Sequence, residues 1–183
     1  MGKKVIKLTL NTTDINKAIR ELEQYEQEFQ KKVDAYRQRI AEEIEKMVSI
    51  NFGGAILEDV IGTIVDNKLV PGGSPRKPEV TVDVSHDGDI SIVVAKGEDA
   101  IWCEFGAGVY HNGAAGSSPH PYGKDLSLTI GSYGFGRGKQ TSWGYSKDGK
   151  VFITRGTPAS MPMYNAVQDV TKRAIEIARE VFQ

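Results

Sequence analysis

From Thr13 to about Ile50 the chain contains neither glycine nor proline, and its apolar residues recur in steps of three and four: Ile15, Ile19, Leu22, Tyr25, Phe29, Val33, Tyr36, Ile40, Ile44 and Met47. That period places them on one side of a helix, with Glu, Lys, Arg and Gln around the rest. Thr13 or Asp14 is the expected N-cap, and Gly53-Gly54 the expected stop. A straight helix of this span is roughly 55 Å long. A compact domain of the chain's 183 residues has a diameter of roughly 40 Å, so such a helix overhangs its own globule. Either it bends, or something else covers its stripe.

Glycine is distributed in the opposite way. Eleven of the 20 glycines fall between Gly106 and Gly149, a segment expected to be long loop with brief strands at Leu126 to Ile130 and Val151 to Ile153. Between these extremes, a second short helical or irregular stretch is expected through Ile56, Val60, Ile61 and Ile64. Val70 to Pro78, with three prolines and two glycines, reads as a linker or exposed loop. Val80, Val82 and Val84, then Ile90, Ile92 and Val94, alternate across Asp87-Gly88 as a hairpin. A two-residue Asp-Gly turn would pair Val84 with Ser91 and split the apolar sets. A three-residue loop, His86-Asp87-Gly88, pairs Val84 with Ile90 and gathers all six on one face, and is the register we expect.

Ala100 to Phe105 reads as a short buried strand or helix turn. After Pro158 to Pro162 comes a last helix, with Tyr164, Val167, Val170, Ala174, Ile177, Ala178 and Val181 on one side. The expected fold is one α+β domain over 1–183: a long helix (13–50), a β-hairpin (80–95), a Gly-rich loop region (106–149) and a C-terminal helix (159–182). The two helices pack on a small, mainly antiparallel sheet.

Composition narrows the function classes. With 39% hydrophobic and 26% charged residues, neither disorder nor a membrane protein is expected. The net charge of −1 lacks the basic field of a non-specific nucleic-acid binder. The single cysteine, Cys103, excludes an intrachain disulfide and the multi-thiolate zinc sites. Synthesis in a reducing cytoplasm is the default. The start, MGKKVIKLTLNTTD, is broken at Lys7 and Asn11, too short for a signal-peptide core, and reads as a first strand. Position 6 is Ile6, which fails a myristoylation motif, and no membrane-spanning run occurs.

The candidate chemistry is sparse. His86, His111 and His120 fit no metal-ligand spacing, so no metal or cofactor is expected. Cys103 with His111 or His120 gives a nucleophile and base only in principle, because a cysteine between Trp102 and Glu104 in an apolar run is ordinarily a small core residue. Glu104 has no acidic partner for general acid/base work. The stretch Gly131 to Gln140 lacks the spacing of a phosphate loop and the helix that must follow one. Tyr133, Phe135, Arg137, Lys139 and Trp143 interleave cations with aromatics; a protein contact is the preferred reading over single-stranded nucleic acid. No catalytic residue is assigned.

The order of short motifs carries more. Ala100-Ile101-Trp102-Cys103-Glu104-Phe105-Gly106-Ala107-Gly108 resembles the A-x-x-x-E-[FY]-G-T-G signature of the phage tail-completion, or head-tail joining, proteins, also described as minor capsid or tail-component proteins. His120-Pro121, Trp143, Thr154 to Ala159 including Gly156, and Met161-Pro162-Met163-Tyr164-Asn165-Ala166 follow in the order of that family. The resemblance spans roughly Val80 to Gln183, with Ala107 where Thr is common and Tyr164 where Phe is common. It implies a non-enzymatic virion protein, made in the bacterial host cytoplasm, that forms a homo-oligomeric ring of roughly six or twelve copies at the neck or the upper end of the tail. Its implied partners are the connector and the tail-tube or tail-terminator proteins, with nucleic acid only passing through the ring. Trp102, Glu104, Phe105, Gly106, Gly108, His120, Pro121, Trp143, Gly156 and Pro162 are then motif residues and assembly contacts. A tail-terminator ring, or a small Cys/His hydrolase, is the alternative.

Overall fold

A helix of 43 residues, α1 (Thr12–Gly54), is the axis on which the other elements are arranged. The structure is a computed structural model and describes residues 11–57, 60–73, 75–106, 120–122 and 142–183. The expected first strand before Asn11, the Leu126 to Ile130 strand, Gly108, His111 and the Gly131 to Gln140 stretch lie outside the described residues. Asn11, rather than Thr13 or Asp14, is the N-cap: its Oδ1 accepts the Asp14 backbone N–H at 2.8 Å. The helix also runs through Gly53 and Gly54 before Ala55 ends it, the Ala55 N–H reaching the Asn51 and Phe52 carbonyls. Two consecutive glycines weaken a helix interior, yet in the last turn they cost little.

The helix α3 (Pro162–Phe182) lies antiparallel along α1. Asn51 Nδ2 donates to the Pro162 carbonyl at one end, Tyr36 donates its hydroxyl proton to the Ala174 carbonyl midway, and Phe29 meets the Phe182 ring at the other. Glu43, buried between the helices, pairs with Arg39 of α1 at 3.0 Å and Arg173 of α3 at 3.4 Å. Of the expected apolar side of α3, Val170 and Ile177 are buried, while Val167 is 41% exposed and Ala166 takes its place inside. At 21 residues, or roughly 32 Å, α3 is too short to cover α1.

The hairpin of β3 (Thr81–Asp87) and β4 (Ile90–Lys96) packs on the C-terminal half of α1, its turn beside Arg37, which lies 3.7 Å from Asp89. Its register corrects the expectation. Val84 pairs with Val93 and Asp87 with Ile90, so the loop is Gly88-Asp89, and Gly88 at φ +50° takes the first central position, where a II′ turn requires glycine. Val82 and Ala95 face the core, whereas Ile90, Ile92 and Val94 face outward, at 62%, 48% and 39% exposure. The core itself is Val48, Phe52, Ala55, Leu57, Cys103 and Ala166.

The remaining strands form a four-stranded antiparallel sheet in the order β2 (Lys68–Pro71), β1 (Val60–Val65), β6 (Lys150–Thr154), β5 (Trp143–Lys147). Strands β1 and β2 replace the helical or irregular stretch expected through Val60 and Ile64, and β2 takes the first residues of the expected linker. The β1–β2 turn is Asp66-Asn67, both at positive φ (49° and 58°), which is the I′ geometry that suits strand twist. The rest of the Pro/Gly segment is pinned: Leu57 and Arg76 exchange backbone hydrogen bonds, and Arg76 grips Asp99 at 2.6 and 2.8 Å. The fold is α+β, the long helices α1 and α3 combined with small antiparallel sheets.

Candidate functional site

The segment 99–105 forms a short helix, α2 (Asp99–Phe105), the helical one of the two forms its sequence allowed. Two of its turns matter. At its start Asp99 accepts from Arg76 and from the Glu79 backbone N–H at 3.0 Å, and the Arg76 hydrogen bonds hold its carboxyl below the usual carboxylate range. At its end Gly106 adopts φ +77°, its N–H bonding the Trp102 carbonyl at 2.8 Å. A Cβ here would stand 2.9 Å from the Ala159 nitrogen and 3.1 Å from the Thr157 carbonyl oxygen. Backbone conformation and close approach both require glycine.

The segment approaching Gly106 is tied to α2 by one carbonyl. Cys103 O accepts the Ser160 N–H at 2.8 Å, the Met161 N–H at 3.2 Å and the Ser160 hydroxyl at 3.2 Å. Met161 is left-handed at φ 50° and supplies no side-chain cap, so the first turn of α3 needs its donors satisfied from elsewhere. Glu104 satisfies them. Its carboxylate accepts the Met163 N–H at 2.9 Å on Oε2 and the Tyr164 N–H at 2.9 Å on Oε1. Pro162 at N1 has no N–H, and Asn165 donates to the Met161 carbonyl, so the accounting closes. A negative group here also meets the positive end of the α3 dipole.

Glu104 Oε1 accepts a third hydrogen bond, from His120 Nε2 at 3.0 Å. His120 Nδ1 accepts the Tyr122 N–H at 3.1 Å, which puts the ring proton of the neutral imidazole on Nε2. The ring is buried among Phe105, Tyr164 and Tyr122, with centroids at 4.3, 5.3 and 5.7 Å. The result is a clasp joining α2, the His120 turn and the start of α3.

The structure thus brings together Glu104, Phe105, Gly106, His120 and Pro162, while Trp102 packs against the core. Gly156, at φ 90°, is held by a bond from its N–H to Thr154 Oγ1 at 2.9 Å. Trp143 opens β5 opposite Thr154, and Pro121 is exposed in the turn after His120. Sequence reasoning missed the Cys103 carbonyl, Met161, Tyr122 and the Arg76–Asp99 pair. One signal for the clasp was present: a helix opening Met-Pro has no capping side chain of its own.

Chemically the clasp is closed. Glu104 spends its carboxylate on three donors and is 7% exposed. Cys103 is fully buried, and desolvation, with Asp99 and Glu104 nearby, pushes its thiol up to about 11, leaving it protonated and unreactive at neutral pH. Among the described residues no group of three or more His, Cys, Asp and Glu side chains could hold a metal ion, and no helix is long and apolar enough to cross a membrane. Compared with protein-family models, with curated proteins and with solved structures, the chain finds no match.

Proposed function

We propose that this chain is a structural virion protein that assembles with copies of itself into a ring at the head-tail junction, or at the upper end of the tail, of a phage or phage-tail-like particle. The observation that carries the reading is the apolar stripe exposed on the part of α1 that α3 does not reach. Its partner α3 ends at Phe182 beside Phe29, and α1 continues from Glu28 back to Thr12, roughly 25 Å of helix. On that arm Ile15, Ile19 and Leu22 are 42%, 47% and 55% exposed. A contiguous apolar stripe of this kind marks a protein contact.

The motifs that resemble the tail-completion family support the same reading. Five of their residues, Glu104, Phe105, Gly106, His120 and Pro162, meet in a clasp that fixes α3 against α2, with the Glu104 carboxylate spent on three donors. Such a site serves to hold a shape. A tail-terminator ring is the near alternative within this class, and both predict self-assembly.

Mass photometry across a concentration series, followed by electron microscopy of particles carrying a labelled copy of the chain, tests the proposal. A closed oligomer, with label at the neck or the top of the tail, is the expected result. A chain that stays monomeric at high concentration and joins neither purified connectors nor tails overturns it.

A further inference from the structure

The exposed stripe has a charged border. Glu23 and Glu26 follow Ile19 and Leu22 by four residues and so lie beside them on the same side of α1, both exposed. On the other flank comes Ala18, which is buried, with Asp14 and Glu21 half-buried beyond it, so the exposed carboxylate border is the Glu23 and Glu26 side. The arm's cations, Lys17 and Arg20, point away on the opposite face. An apolar strip edged by carboxylates fits poorly against a second copy of itself, since like charges would meet. It calls for an apolar surface edged by cations.

The same chain carries such a surface on the four-stranded sheet. Strand pairing sets Thr63 beside Val70 and Phe152, Phe152 beside Tyr145, Val65 beside Lys68, and Lys147 beside Lys150, all on one face. Val65 and Val70 are each 50% exposed, and the three lysines are exposed as well. A shallow depression on this face is lined by Val60, Thr63, Val65, Val70, Lys150 and Phe152. The four strands contain no Asp or Glu; the acids of these two hairpins, Asp66 and Asp148, sit in the turns.

We propose that the carboxylate-edged arm of α1 in one copy docks on the lysine-bearing face of the four-stranded sheet in the next. The occupant of each surface is thus a second copy of this chain, and the inference rests on the self-assembly reading above. The two patches differ, so the contact is head-to-tail. Repeated around an axis it closes into a ring without a two-fold interface. Opposite charges at the rim fix register and speed encounter, which makes assembly sensitive to salt.

Charge reversal tests the pairing. All sites chosen are exposed, and circular dichroism verifies that each variant folds. The E23K/E26K chain loses the arm's complementarity and keeps its sheet; the K68E/K150E chain loses the sheet's and keeps its arm. Each alone is expected to weaken self-association about tenfold or more. Mixed one to one, they keep one wild-type contact and regain the other with its charges exchanged, so alternating assembly beyond the dimer is expected to return, as read by sedimentation velocity. Wild-type rings together with variants that assemble unchanged overturn this contact and leave the ring reading standing. Variants that both dissociate yet fail to reassemble on mixing also overturn it, as does an arm-to-arm dimer insensitive to K68E/K150E. A wild-type chain that is monomeric alone overturns both, and points the arm at a different protein.

Discussion

The Glu104 carboxylate and the Tyr164 backbone N–H meet at 2.9 Å, so the first turn of α3 is held by a side chain from α2. Removing that acceptor strands two helix donors and the His120 N–H. Each buried unsatisfied group costs about 1–3 kcal/mol, so Glu104→Ala is expected to destabilise by about 3 kcal/mol or more. Glu104→Gln keeps one acceptor oxygen but turns an NH₂ toward donors, and is expected to cost about 1–2 kcal/mol. Urea unfolding measures both. Amide exchange should also accelerate at Met163 and Tyr164 before it does along the rest of α3; uniform protection in Glu104→Ala would show that the cap is dispensable.

The acid limb of stability belongs in part to Asp99. Its carboxyl is held below the ordinary value chiefly by the Arg76 hydrogen bonds, so the unfolded chain binds this proton more readily than the folded one. The stabilisation is therefore complete above the unfolded carboxylate range, about pH 4, and is lost as pH falls through the lower folded value. Asp99→Asn is expected to cost about 2 kcal/mol at pH 7, less than a fully buried pair because Arg76 is half exposed. The gap between wild type and variant should narrow below about pH 4. A gap independent of pH would assign the effect to packing.

Much of this was legible in the sequence, and the failures have physical causes. α1 was readable because its 3.6-residue period runs unbroken, and even its overhang followed from length alone. The β1–β2 hairpin was not, because Val60, Ile61 and Ile64 mimic helical spacing and the turn Asp66-Asn67 reaches positive φ without glycine. The β3–β4 register depends on one residue of turn length, which no apolar count determines. The clasp brings together residues some 60 positions apart, Glu104 with Met163 and Tyr164. Its members were picked out as a motif, but their joint role as a cap appears only in three dimensions.

Cys103 should behave as a core atom. With its thiol pushed up to about 11, the thiolate fraction at pH 8 is about one in a thousand, and the side chain is fully buried. Alkylation of the native chain at pH 8 is expected to be about a hundredfold or more slower than alkylation in denaturant. Fast labelling of the native protein would instead expose a reactive thiol and revive a cysteine nucleophile.

The hairpin register can be tested by one pair of substitutions. In the structure Val82 lies against the core beside Ala95, whereas Ile92, opposite Ser85, faces outward at 48% exposure. Val82→Thr puts a hydroxyl on a half-buried side chain packed against the core and is expected to cost about 1–2 kcal/mol. Ile92→Thr changes an exposed position and should stay within about 0.5 kcal/mol of wild type. If Val84 were opposite Ile90, Ile92 would share the inner face with Val82 and the two losses would be alike. Unfolding curves for the two variants therefore separate the registers, and equal destabilisation would overturn the Gly88-Asp89 turn.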